Sequence, residues 1–273
     1  MKTSKAKPRR PAAALTIQAM SIETPFLPFG SGQSPCRLFC LPFAGGGASN
    51  FMPWRRALSG IAIAPVQYPG HETRINEACA TQVSTLVDQI ARALAPLIGP
   101  GCVPYGLLGY SLGARLAYLL AQRVQTLGLT APRALHVVAN RPPDALPARL
   151  GISQLSPQAF RDHVLAYGGT PEEVFDTPEL AELLLPILRA DFALAEQTVS
   201  TAQLDIPFFT YAGVDDPVAT PTDMQRWAQF TRQACVAHVF EGGHFFVRQS
   251  TNFLPTLAAD VQGKGKSAYS LHD

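Results

Sequence analysis

The feature that most constrains this chain is an alternation. Short, uninterrupted apolar runs are followed, again and again, by stretches of helical periodicity. The apolar runs are "CRLFCLPF" (36–43), "IAIAPVQY" (61–68), "YGLLGY" (105–110), "ALHVVAN" (134–140), "IPFFTYAG" (206–213) and "CVAHVFEGG" (235–243). The helical stretches are "NFMPWRRAL" (50–58), "TQVSTLVDQIARALAPLI" (81–98), "LGARLAYLLAQRVQTLG" (112–128), "TDMQRWAQFTRQA" (222–234) and "FFVRQSTNFLPTLAADV" (245–261). Strands apolar on both sides must be covered on both faces, and parallel neighbours need a crossover between them. The pattern therefore predicts an α/β fold: an open, mainly parallel sheet flanked by helices. Residues 142–202 break the rhythm with helix-like segments and no clear strand. They read as a helical insertion at the carboxyl edge of the sheet, the place for a lid over a pocket.

The 273 residues, 47% of them hydrophobic and 15% charged, suffice for one large core. A single domain is expected over 31–262, with a disordered basic tail over 1–30 and a second tail over 263–273. A net charge of +2 supplies no broad basic field for nucleic acid. No apolar run has the length of a membrane span, and "AAALTIQAM", interrupted by Thr16 and Gln18, is too short for a secretory core. A cytoplasmic location is expected. The five cysteines are odd in number and lack C-x-x-C spacing, which reads as reduced thiols. No metal is expected, because no metal-ligand cluster stands at recognisable spacing.

"LLGYSLGARLA" (107–117) carries the chemistry. Gly109-Tyr110-Ser111-Leu112-Gly113 matches G-x-S-x-G between a strand and a helix. In that context the serine sits on a tight, strained turn with its hydroxyl above the sheet, and the Leu112 N–H can stabilise an oxyanion. The plainer reading is a helix-capping serine. A nucleophilic serine needs a base and an orienting acid, in the chain order Ser, Asp or Glu, His. Of six histidines, His244 follows "EGG" after the last strand, where an open sheet presents a base to its active edge. "TYAGVDDPV" supplies the acid: spacing from Gly213 favours Asp216, with Asp215 as the alternative. "LPFAGGGASNF" (41–51) fails as a dinucleotide loop, since Asn50 stands at the third glycine position. As the loop giving the second oxyanion donor it fits, with the Ala44 N–H in that role.

These segments, with "PVQYPGHETR", "YGGTPEEVF", "LLLPILRADFALAEQ" and "FEGGHFF", resemble the type II thioesterases, the stand-alone editing enzymes of polyketide and nonribosomal peptide synthesis. The resemblance spans about residues 36–255. It implies an α/β-hydrolase fold with a helical lid over 142–202. It also implies hydrolysis of acyl thioesters from the phosphopantetheine arm of acyl or peptidyl carrier proteins, removing stalled or mis-primed groups. The family pattern maps onto Ser111, Asp216 and His244, with Ala44 and Leu112 as oxyanion amides. Phe43, Tyr110, His71, Arg74, Arg189, Asp191 and Phe245 are candidates for the pocket or its support. No cofactor of this chain is implied, because the partner carries the phosphopantetheine, and a monomer is expected.

Two departures stand out. The family usually has histidine before the serine, where this chain has Tyr110, and its "PG-R" segment reads "PGH", with His71. The rival expectations are a carboxylesterase, a medium-chain fatty acyl-carrier thioesterase, and a non-catalytic carrier-binding scaffold. One triad serves oxyesters and thioesters alike.

Overall fold

The computed structural model describes residues 21–145 and 151–263. Its strands are β1 (Cys36–Leu41), β2 (Ile61–Pro65), β3 (Tyr105–Tyr110), β4 (Leu135–Val138), β5 (Phe208–Gly213) and β6 (Cys235–Phe240). They form one sheet in the order β2-β1-β3-β4-β5-β6, every neighbouring pair parallel. Between β1 and β4 run the helices α1 (Met52–Ala57), α2 (Val83–Leu94) and α3 (Leu112–Thr126). Between β4 and β5 lie α4 (Pro157–Ala166), α5 (Glu173–Asp176) and α6 (Pro178–Ala195), and after β5 come α7 (Pro221–Gln225) and α8 (Phe253–Val261).

The apolar runs are explained by burial on both sides. Successive strand residues point to opposite faces. Phe39, Leu41 and Leu107 pack into one layer with Leu86, Ile90 and Leu94 of α2 and Leu116 and Leu120 of α3. Leu38, Cys40 and Leu108 pack into the other with Trp54 of α1 and Phe253 and Leu257 of α8. The chain leaves β1 for β2 on one side, then returns to β3 on the other. That reversal opens a crevice at the carboxyl ends of β1 and β3, where Leu41 pairs with Gly109.

The described residues 151–202 of the insertion hold a short turn (Ile152–Gln154) and α4, α5 and α6, with no strand. They build a small core of their own from Phe160, Val164, Phe175, Leu188 and Phe192. Residues 146–150 of the expected insertion, 1–20 of the first tail and 264–273 of the second lie outside the described residues.

Two expectations need correction. Residues 21–30 are not a disordered tail. They form a turn in which the Leu27 N–H donates to the Thr24 carbonyl at 2.8 Å, and Leu27 is wholly buried in the layer under α2. One large apolar side chain with a niche in the core is enough to pin such a segment. The single helix expected over 245–261 is instead a short turn (Phe246–Arg248) followed by α8. Pro255 is the reason. It has no N–H to continue a helix from upstream, yet is tolerated in the first turn of a new one.

His136, buried on β4, takes part in a polar chain. Its Nδ1 lies 2.9 Å from the Tyr211 hydroxyl, which donates to Asp260 Oδ2 at 2.9 Å, and His238 Nε2 stands 3.0 Å from the same oxygen. Burial pulls the His136 pKa down to about 4. The chain ties β4, β5 and β6 to α8.

Candidate active site

Ser111 stands where β3 hands over to α3. Its backbone has a positive φ of 52° with ψ −118°, a strained geometry for a residue with a Cβ. Close packing enforces the strain. A Cβ on Gly109 would lie 2.2 Å from the Gly113 carbonyl oxygen, and one on Gly113 would lie 2.0 Å from the carbonyl oxygen of Leu41. Only glycine at both positions lets α3 start hard against the sheet. The Ser111 side chain makes no capping hydrogen bond. The helix-cap reading therefore fails on geometry.

The hydroxyl faces a histidine instead. His244 Nε2 lies 3.1 Å from Ser111 Oγ, and His244 Nδ1 lies 2.9 Å from Asp216 Oδ2. The two partners sit on turns after the adjacent strands β5 and β6. Asp216 and His244 are each only 3% exposed. The second Asp216 oxygen accepts from the N–H groups of Val218 (2.8 Å) and Ala219 (3.1 Å). The alternative acid, Asp215, is exposed to solvent and does not reach the imidazole. Of the two, Asp216 is the one the structure brings to the imidazole.

Ala44 and Leu112 line the same cavity as Ser111 and His244. The loop that carries Ala44 is held by its other amides. The Gly45 N–H donates to Asp191 Oδ2 at 2.7 Å, Gly46 to the Phe43 carbonyl at 2.9 Å, and Ala48 to Gln67 Oε1 at 3.0 Å. Asp191 belongs to the lid helix α6, and its Oδ2 also meets His71 Nε2 at 2.9 Å, while His71 Nδ1 lies 3.0 Å from the Pro69 carbonyl. Asp191 and His71 are buried, and Gly45 is half-buried. Burial works against the charged imidazole, but the Asp191 hydrogen bond and charge outweigh it, and the His71 pKa is raised above its ordinary value. The departure to "PGH" thus supplies a partner for Asp191, whose carboxylate also ties the lid to the loop that carries Ala44. Asp191→Ala strands a buried imidazole and a backbone amide. A loss of about 3 kcal/mol is expected, read as a lower urea midpoint.

Tyr110, the other departure, also gains a function in the architecture. Its buried hydroxyl donates to the backbone carbonyl of His244 at 2.7 Å, and its ring packs edge-on against Phe43, 5.2 Å between centroids. It holds the histidine turn from the strand that presents the serine. Tyr110→Phe removes that bond alone. A fall in kcat of about threefold to tenfold is expected, with KM little changed, in steady-state kinetics.

Phe43 and Phe245 line the cavity, in edge contact 5.0 Å apart. Arg74 and Arg189 do not. Arg74 is spent on Glu77 and on the ring of Phe26, 4.3 Å away, outside the crevice. Arg189 points into the lid, donating to the Ser153 carbonyl at 2.7 Å and lying over Phe160. Sequence reasoning missed Tyr167, whose ring meets that of His244 edge-on at 5.4 Å, and Arg115, which lines the cavity one turn after Ser111. The signal for Arg115 was present: a lone charge on the otherwise apolar run "LGARLAYLLA". The rest of the wall is mainly apolar, with Ile152, Val164, Leu188 and Phe192 from the lid. Among the described residues no group of three metal-ligating side chains occurs, and no helix is long and apolar enough to cross a membrane.

A thioesterase-domain family model matches residues 36–262. The chain is similar to the gramicidin S biosynthesis protein GrsT of Aneurinibacillus migulanus, 31% identical over 78% of this chain and 84% of that protein. Among solved structures it is similar to the thioesterase RedJ of the prodiginine pathway in Streptomyces coelicolor, with 30% identity, TM-score 0.76, and coverage of 85% of this chain and 86% of that one. The type II thioesterase BorB of the borrelidin cluster is also similar, with 30% identity, TM-score 0.73, and coverage of 83% and 92%. The match runs from the first strand of the sheet through its last helix and takes in the serine, acid and histidine turns alike: the chain belongs to the thioesterase family, on an α/β-hydrolase fold.

Proposed function

We propose that Ser111, His244 and Asp216 hydrolyse acyl thioesters presented on the phosphopantetheine arm of a carrier protein, so that stalled or mis-primed groups leave a biosynthetic assembly line. The observation that carries this reading is the strained Ser111 with His244 Nε2 at 3.1 Å, itself oriented by a buried carboxylate. His244 takes the Oγ proton as Oγ attacks the thioester carbon. The Leu112 and Ala44 amides receive the oxyanion. The C–S bond breaks, the imidazolium protonates the leaving thiolate, and water assisted by the same base hydrolyses the acyl-serine. These groups supply nucleophile, base and oxyanion donors, so the proposed reaction needs no cofactor or metal of this chain's own. The relatives named for gramicidin S, prodiginine and borrelidin biosynthesis support a carrier-bound substrate. The reading includes action in the cytoplasm, as a monomer, on carrier domains of a polyketide or peptide synthase.

The test is a hydrolysis panel of short acyl-carrier protein, long acyl-carrier protein and simple aryl esters. Faster turnover of short acyl-carrier protein than of the other two is the expected result. Preference for aryl esters would establish a carboxylesterase, and preference for long chains a fatty acyl terminator.

A further inference from the structure

Several polar groups in the cavity take no part in the chemistry above, two of them guanidinium groups, Arg115 and Arg141; Arg141 stands 3.5 Å from Asp223 Oδ2. Arg115 follows Ser111 by one turn of α3, so its Cα stands about 6 Å further along the helix axis. It lines the same cavity as Ser111 and is 9% exposed. A guanidinium has five N–H donors. Nη2 donates to the Gln197 carbonyl, and Nε is buried without a partner. Among the described residues no carboxylate lies within 4.0 Å of it. Glu196 lines the same cavity, but its two oxygens are taken by the N–H and hydroxyl of Ser153, at 3.0 and 2.8 Å. Burial pulls the Arg115 pKa down, the mark of a charge kept from water.

A buried charge without a counter-ion is costly, and the cost is recovered when a ligand brings the opposite charge. The neighbouring wall, Ile152, Val164, Leu188 and Phe192, is apolar and offers none. A plain alkyl chain entering here leaves the guanidinium unpaired. An acyl chain ending in a carboxylate satisfies it with a charge-assisted, fork-shaped pair.

We propose that Arg115 selects acyl thioesters bearing a second carboxylate at the far end of a short chain: dicarboxylic half-thioesters of about four or five carbons, a length set by the one-turn offset from the nucleophile. This rests on the thioesterase reading of the same cavity. The thioester carbonyl sits at Ser111 while the distal carboxylate meets the guanidinium. Arg115 is thus a specificity residue, held at one end by its bond to the Gln197 carbonyl.

The test uses the full chain with succinyl and glutaryl thioesters of N-acetylcysteamine, against butanoyl and pentanoyl thioesters of equal length. Wild type is expected to favour the dicarboxylic member of each pair by about tenfold or more in kcat/KM. Arg115→Met should abolish that ratio, mainly through KM for the dicarboxylic substrates, and Arg115→Lys should keep part of it. Equal rates on both members of each pair by wild type, or a ratio unchanged in Arg115→Met, would overturn the proposal. A purely structural tie from α3 to Gln197 lowers both members together and leaves the ratio alone. Should either variant fail to fold, the wild-type ratio still decides. Absence of Ser111-dependent hydrolysis of all four compounds overturns the thioesterase reading, and the selectivity with it.

Discussion

Ser111→Ala is expected to lower kcat for thioester hydrolysis by about 10⁴-fold or more while the protein stays folded. The hydroxyl is the group that the proposed mechanism acylates, with its oxygen 3.1 Å from His244 Nε2. Without it the base and the amides of Leu112 and Ala44 remain, and such remnants sustain a small residual rate by binding and polarising the substrate. Folding should not suffer. The side chain caps nothing, and the strained φ of 52° is imposed by Gly109 and Gly113, which the substitution leaves in place. Activity and stability are therefore expected to separate: a thermal midpoint near that of wild type, no thiol release above the residual rate, and no acyl-enzyme in intact-mass spectra. A folded variant retaining most of the activity would sink the serine mechanism.

The parts of the site legible in the sequence are those fixed by local chain geometry. Ser111 is marked by glycines two residues to either side, because the strand-to-helix turn closes only around them. His244 and Asp216 are marked by their place after the last two strands of a parallel sheet. What the sequence concealed are contacts between distant segments. Asp191 stood in a recognised segment, but its bond to the Gly45 amide crosses 146 positions, and nothing in "LRADF" names a glycine as its partner. Tyr110 looked like an unexplained departure because its hydroxyl is answered by a backbone carbonyl 134 positions away, and a carbonyl has no sequence signature. Arg74 and Arg189, candidates for the pocket or its support, face elsewhere: Arg74 pairs with Glu77 three positions on, and Arg189 reaches the Ser153 carbonyl, 36 positions back within the insertion. At the amino end, the basic character of residues 1–10 was extended over 21–30, a stretch without Lys or Arg, where Leu27 is wholly buried.

The neighbouring aspartates provide the sharper test of how the base is held. Asp216→Asn is expected to lower kcat by about 10⁴-fold and Asp215→Asn by less than about twofold. The asymmetry follows from hydrogen-bond polarity. At Asp216 one carboxylate oxygen accepts from the backbone N–H groups of Val218 and Ala219, and the other faces His244 Nδ1 at 2.9 Å. An asparagine there must keep its oxygen toward the two N–H donors, since its NH₂ can only donate. The NH₂ is then forced toward His244 and makes Nδ1 an acceptor. The ring proton moves to Nε2, the nitrogen that must accept from Ser111 Oγ, and the base is disabled without displacement of any atom. Asp215 has no such leverage. Its side chain is exposed, and its main link to the site is a backbone bond from its N–H to the Gly242 carbonyl at 3.0 Å, which the substitution preserves. Single-turnover rates for the two variants, at matched thermal stability, decide the assignment. A large loss confined to Asp215→Asn would transfer the acid to that residue and require the turn after β5 to rearrange before His244 could be oriented at all.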